Sequence, residues 1–355
     1  MRAAERGRGA AGGQRAQTVA SAGEEGVLRV VRGVLAAGAD RAQGVEVGPG
    51  DDAAVFTASG SLAITLDAVA AGSDWLPQHT PPPAIGHRAV AVSLSDLAAM
   101  GARPRWLLLG LELSPSTRMD ALEAALKGAV ALAQAHGVAL IGGDVGIRRG
   151  PTTWTSVAVG DHAERPLLRS VAQPGDRVWL VGSLGLAALG LHALTADPPP
   201  AWPPDLTTRA VAAHLWPSPQ VAWGLALAAT GARVACIDVS DGLGLDGERI
   251  AAASGVALIF DIDTPPGWRD GDRAALEATG APWRACVAAG GDDYALLICA
   301  PWDLDLAALQ PVGAAAAVAI GRVEAGEGVT LHLAGVNASQ QLGGHLHGRR
   351  RRLAR

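Results

Sequence analysis

Ala89-Val90-Ala91-Val92-Ser93-Leu94-Ser95-Asp96-Leu97-Ala98-Ala99-Met100-Gly101 places one carboxylate inside an apolar run of helical length. A helix over 85–100 is expected, largely buried, and an unpaired carboxylate there would be costly. Either a cap or Arg88, two turns away, satisfies Asp96, or it holds a metal; the metal reading is favoured. Apolar patterns alternate on both sides of this helix. Before it come a helix from Glu24 and strands at 53–55 and 62–66. After it come a strand at 106–113, a helix opening at Ser116, and strands at 138–141 and 154–159. A second half begins near Arg165, with a strand at 177–181, a helix at 184–194 and a Pro-rich surface loop at 197–206. A helix from Val221, a strand at 234–237, a helix from Gly242 and strands at 256–260 and 294–299 follow. This alternation predicts an α/β (α+β) chain of two layered domains, 22–163 and 164–348. Residues 1–21 read as a disordered extension, and 349–355 as a solvated basic tail.

The 355 residues suit about two domains, and 49% hydrophobic residues supply ample core. A formal net charge of -5 argues against a nucleic-acid binder. No apolar run has membrane-spanning length, and no export signal is evident. Cys236, Cys286 and Cys299 lack metal-ligand or disulfide spacing, so buried thiols in the cytoplasm are expected. Lys127 is the only lysine, on the solvated side of an Ala-rich helix. A P-loop and a protein-kinase strand lysine are thereby excluded. Phosphates, if bound, must be held by arginine, metal and backbone N–H groups.

Aspartates recur in small-residue turns after apolar strands: Gly50-Asp51-Asp52, Thr65-Leu66-Asp67, Gly142-Gly143-Asp144, Asp238-Val239-Ser240-Asp241-Gly242 and Gly290-Gly291-Asp292-Asp293-Tyr294. Carboxylates gathered at one sheet edge repel unless cations hold them, and such hard oxygens suit Mg²⁺ bridging to phosphates. Each motif has a plainer reading. Asp51 can cap a turn, Asp67 is an ordinary residue after a strand, and Asp241 can stabilise a helix dipole. Strand alternation sets Thr65 and Asp67 on one face. Ser240 can cap the helix from Gly242, leaving Asp238 and Asp241 beside an anion site. Gly182-Ser183-Leu184-Gly185 through Gly190 lacks dinucleotide spacing and is read as close helix packing. There is no Gly-x-Ser-x-Gly elbow, and His87 is read as structural.

In order and spacing these segments, with Met100-Gly101-Ala102-Arg103-Pro104 and Pro174-Gly175-Asp176, resemble the thiamine-monophosphate kinase family from about residue 24 to 335. The resemblance implies a homodimer whose N-terminal sheets pair into a barrel-like core, with a C-terminal α/β domain covering it. It implies ATP-dependent phosphorylation of thiamine monophosphate to thiamine diphosphate with several Mg²⁺ ions, and leaves K⁺ open. Asp52, Thr65, Leu66, Asp67, Asp96, Asp144, Asp238 and Asp241 match family Mg²⁺ ligands. Gly143, Asp144, Arg169 and Ser240 match ATP contacts, and Asp74, Asp292 and His345 fall at substrate contacts. The acceptor is already anionic, so no general base is implied; positioning and charge neutralisation suffice.

Some positions depart from the family pattern. Leu66 stands where Ser or Thr is usual, so only its backbone could reach a metal. Asp74 replaces a His and Asp292 a Glu. The C-terminal Gly-aromatic-Asp-His-Phe signature has become Gly344-His345-Leu346-His347-Gly348, without the aromatic. The alternatives are a related ATP-using enzyme with another acceptor, or a binder of nucleotide or thiamine phosphate that lacks catalysis.

Overall fold

The structure is a computed structural model that describes residues 17–37, 44–49, 53–162 and 165–343. Helix α1 (Val19–Ala37) begins inside the stretch expected as extension. Gly23 (φ 65) interrupts it, so regular helix runs from Glu24 as expected. A short hairpin follows, β1 (Val45–Val47) and β2 (Val55–Phe56). The first domain then runs β3 (Ser61–Ala70), α2 (Pro82–Ala99), β4 (Arg103–Leu113), α3 (Met119–Ala135), β5 (Ala139–Ile147) and β6 (Thr153–His162). Its four-stranded sheet has the order β3-β6-β4-β5.

The second domain opens with β7 (Arg177–Val181), α4 (Leu186–Thr195), α5 (Pro204–Leu215), α6 (Val221–Ala229), β8 (Ala235–Val239) and α7 (Leu243–Ser254). It closes with β9 (Ala257–Ile262), α8 (Asp272–Ala278), α9 (Trp283–Ala289), β10 (Ala295–Ala300), α10 (Leu306–Leu309), β11 (Ala317–Glu324), β12 (Gly328–Leu333) and β13 (Val336–Asn337). The sheet order is β13-β12-β9-β11-β7-β10-β8. Several expectations need correction. Thr65-Leu66-Asp67 and Gly142-Gly143-Asp144 lie within β3 and β5 and not in turns after them, because both strands run on past these residues. The Pro-rich loop ends at residue 203, because Pro203 and Pro204 supply the fixed φ that opens α5. Tyr294 does not begin a strand: its φ of 49 lies outside extended backbone, and β10 starts one residue later.

Helix α2 joins the two domains. Fourteen of its residues are buried, because β3 and β6 cover one side while α3, α6, β8 and β10 cover the rest. One apolar core therefore crosses the domain boundary: Val90, Leu94 and Leu97 share it with Leu107 and Leu109 of β4 and with Leu296 and Ile298 of β10. Alternate residues of β10, Ala295, Leu297 and Cys299, face a second core under α4, α7 and α9. Cys236 and Cys299 are buried free thiols, as expected, whereas the third free cysteine, Cys286, is only half-buried. No helix among the described residues is long and apolar enough to cross a membrane.

Small residues let these helices approach closely. A Cβ on Gly86 of α2 would lie 1.8 Å from the Ala125 carbonyl oxygen of α3, and one on Gly224 of α6 would lie 2.1 Å from that of Ala98. Gly190, in the glycine segment read as packing, stands 2.0 Å by the same measure from the Ala210 carbonyl oxygen. Gly86→Ala is expected to push α2 off α3 and destabilise the protein by roughly 1–3 kcal/mol, measured by chemical denaturation. An unchanged midpoint would contradict this packing.

Candidate functional site

A cavity of about 200 Å³ opens where the two domains meet, lined by Asp67, Ser73, Asp74, Asp96, Asp238, Ser240, Asp241 and Asp292 together with Val92 and Tyr294. Seven of the site residues expected from the sequence thus share one space. Strand alternation turns Thr65 and Asp67 of β3 toward α2, and the Thr65 hydroxyl donates to Asp96 at 2.5 Å. Arg88, Val92 and Asp96 follow at intervals of four along one helix face, so α2 runs the length of the cavity for about 12 Å. Ser95, fully buried, donates to Asp238 at 2.7 Å and ties the helix to the end of β8. Ser93 bonds Ser156 at 2.6 Å and lies 3.5 Å from Asp67.

The turn from β8 into α7 differs from expectation. Gly242 (φ 109) is the N-cap, without a side-chain cap. Asp246 reaches back to accept from the N–H groups of Asp241 and Gly242 at 3.0 and 3.1 Å. Ser240 therefore caps nothing; its carbonyl accepts from the Asp292 N–H at 2.9 Å, and the residue lines the cavity. Arg249, not anticipated, bridges Asp246 and Asp241, the latter at 2.5 Å.

The adjacent aspartates of Gly290-Gly291-Asp292-Asp293-Tyr294 face opposite ways. Asp292 enters the cavity and pairs with Arg88 at 3.2 Å. Arg88 thus satisfies Asp292 and not Asp96, two turns further along the helix. Asp293 turns inward and accepts from the Gly185 and Ala187 N–H groups at 2.7 and 3.3 Å, at the start of α4. That glycine loop already holds an internal carboxylate, which agrees with reading it as no dinucleotide site. Asp74 accepts from the Ala70 N–H and the Ser73 hydroxyl. His87 Nε2 contacts the Pro217 carbonyl at 2.8 Å, a structural role as expected. Lys127 pairs with Glu123 on the surface.

Other expected residues lie apart. Leu66 points to the opposite face of the sheet and is 63% exposed. Asp144 on β5 registers through Gly110 and Thr155 with Ala68, which places it on that outer face too. It is three strand spacings from β3, roughly 14 Å. Gly143 has a packing reason of its own, since a Cβ there would lie 2.0 Å from the Leu109 carbonyl oxygen. Arg169 is exposed outside the cavity lining; its charge favours ionised Asp238, and its carbonyl accepts from Ser254. Asp52 and His345 lie outside the described residues.

Burial pushes the Asp67 carboxyl up to about 6, with Asp96 adding to the shift. It pushes Asp238 up to about 7, again reinforced by Asp96. The donors are hard oxygens whose crowding raises their own proton affinity, a set that fits Mg²⁺. Among the described residues no three acidic, His or Cys side chains form a ready-made ion shell.

The sequence matches the AIR synthase related protein N-terminal domain over residues 50–161 and the C-terminal domain over 173–334. The thiamine-monophosphate kinase of Salmonella typhimurium is 37% identical over 72% of this chain and 77% of its own length. The Synechococcus elongatus enzyme of the same name is 36% identical over 77% of this chain and 83% of its own. The chain belongs to the thiamine-monophosphate kinase family. Among solved structures, the Stenotrophomonas maltophilia thiamine-monophosphate kinase superposes with TM-score 0.72 at 35% identity, covering 88% of this chain and 96% of its own. AaThiL complexed with AMPPCP and TMP gives 0.68 at 26%, covering 89% and 94%. E. coli HypE, at 21% identity and TM-score 0.70, shares the fold.

The raised carboxyls set a pH dependence. Between about pH 4 and 7 the folded, cation-free protein holds protons at Asp67 and Asp238 that the unfolded chain releases. Their stabilisation is complete at the acid end and is lost as pH rises through 6 to 7. Melting in chelator is expected to fall from about pH 5 to pH 8, with Mg²⁺ restoring most at pH 8. A Mg²⁺ effect equal at both pH values would contradict this.

Proposed function

We propose that the chain transfers the γ-phosphoryl group of ATP in line onto thiamine monophosphate, giving thiamine diphosphate and ADP, the last step of thiamine diphosphate biosynthesis. The observation that carries this reading is the convergence of Asp67, Asp96, Asp238, Asp241, Ser240, Asp74 and Asp292 on one cavity, in a chain of this family. Asp67, Asp96, Asp238 and Asp241, with Thr65, would hold Mg²⁺. Bound there, Mg²⁺ would neutralise and bridge the two phosphorylated ligands. The protein's own contribution is placement. Helix α2 fixes Asp96 and, through Ser95, Asp238; Arg249 orients Asp241; Ser240 meets phosphate at the turn before α7. Asp74 and Asp292 face the cationic thiazolium ring of the acceptor. No side chain needs to act as a base, because the attacking phosphate oxygen is already anionic. The cytoplasm, which supplies ATP and Mg²⁺, is the proposed setting.

The reading extends to a homodimer. The outer face of the first sheet exposes Leu62, Ile64 and Leu66, at 44, 71 and 63%. Such a contiguous apolar face favours burial against a second copy. Leu66 and Asp144 share that face, so pairing it into a barrel would enclose them, whereas Gly143 registers through Leu109 and Ser156 with Asp67 on the inner face.

The purified protein is expected to form thiamine diphosphate only when ATP, thiamine monophosphate and Mg²⁺ are all present. Asp241→Asn should reduce turnover by about 100-fold with an unchanged circular dichroism spectrum, since it frees only the part-exposed Arg249. Product at the wild-type rate would remove Asp241 from the site; absence of product from the wild type would leave a binding homologue or another acceptor. Ile64→Glu is expected to yield monomers in sedimentation. A dimer of unchanged affinity would place the contact elsewhere.

A further inference from the structure

Arg88 carries a full charge at 2% exposure, between Ile85, Ala89 and Val92 of a largely apolar helix. A buried charge is tolerated only with partners, and those of Arg88 lead into the cavity. Nη1 stands 3.2 Å from Asp292 Oδ1, while Nη2 donates to the His214 carbonyl at the end of α5. The His214 ring lies on the other side, its Nδ1 4.0 Å from Asp292 Oδ2. The Tyr294 hydroxyl reaches Asp292 Oδ1 at 3.5 Å. The backbone is held as firmly. Asp292 and Tyr294 have φ of 68 and 49 though neither is glycine. Their N–H groups donate to the Ser240 and Val239 carbonyls at 2.9 and 2.8 Å. Unfavourable backbone of this kind persists where surrounding contacts over-determine it, commonly at binding sites.

We infer that Arg88 is a positioning residue for the acceptor: its guanidinium fork, anchored on the α5 carbonyl, holds Asp292 at the end of the cavity remote from Asp96. The inference rests on the kinase reading and adds a division of labour to it. Carboxylates at one end of α2 are left without an arginine from that helix and await a cation. Asp292 at the other end is already balanced, so it is kept out of the ion cluster and left to orient a cationic ring. A lysine could balance the charge but could not reproduce both fork contacts.

The test uses the full chain with Arg88→Met, Arg88→Lys and the double variant Arg88→Met with Asp292→Asn, which leaves no unpaired buried charge. Folding is checked by melting. For Arg88→Met, KM for thiamine monophosphate is expected to rise about 10- to 100-fold, with KM for ATP and the Mg²⁺ requirement within about twofold. Arg88→Lys should fall between this and the wild type. The folded double variant should keep the raised acceptor KM, because restoring neutrality does not restore the positioned carboxylate. Equal changes in both KM values, or an unchanged acceptor KM in any folded variant, would overturn the inference and leave Arg88 as structural. A wild type that forms no thiamine diphosphate would remove the kinase reading itself and the inference with it.

Discussion

Everything in this molecule is arranged around the burial of one helix. Helix α2 has almost no solvated side, so it can exist only with a sheet packed on each flank. That requirement makes the two domains one body with one continuous core. It also places a polar line, Arg88, Val92 and Asp96, along the seam. The chemistry of the seam follows from the packing around it: polar groups there cannot turn to bulk water and must find partners across the boundary. Ser95 finds Asp238, Arg88 finds Asp292 and Asp96 finds Thr65.

Those partners do not make the seam electrically comfortable. Asp238 is buried and Asp67 half-buried near Asp96, and both are shifted toward protonation. A protein selected only for stability would fill such positions with apolar side chains. Retaining several carboxylates there stores a demand for positive charge, and the ligands meet it. Catalysis by placement and electrostatics alone needs a site whose donors are fixed before the substrates arrive, and the rigid helix provides that.

Much of this was legible residue by residue. Alternation in β3 correctly put Thr65 and Asp67 on one face, and the strand-to-helix turn announced Asp238 and Asp241. The apolar surroundings of Asp96 marked it as exceptional. What escaped was information that local pattern does not contain. The order β3-β6-β4-β5 decides that Asp144 stands far from Asp67 and on the other face, and strand order is a global property. Helical spacing aligned Arg88 with Asp96, yet only the neighbouring domain shows that Arg88 pairs with Asp292. The capping reach of Asp246 and the bridge made by Arg249 displaced Ser240 from its expected role. Strands β11 to β13 were overlooked: β11 is Ala-rich and β13 only two residues long, but Val329-Thr330-Leu331-His332-Leu333 of β12 alternates and was legible.

The inward turn of Asp293 has its own consequence. Amide groups at the start of a helix, preceded by glycines, attract anions wherever they are open, and the loop before α4 would otherwise invite a diphosphate. Asp293 occupies it from within, so the chain acts as its own competitive occupant there. A polyphosphate arriving at the protein is spared that decoy berth.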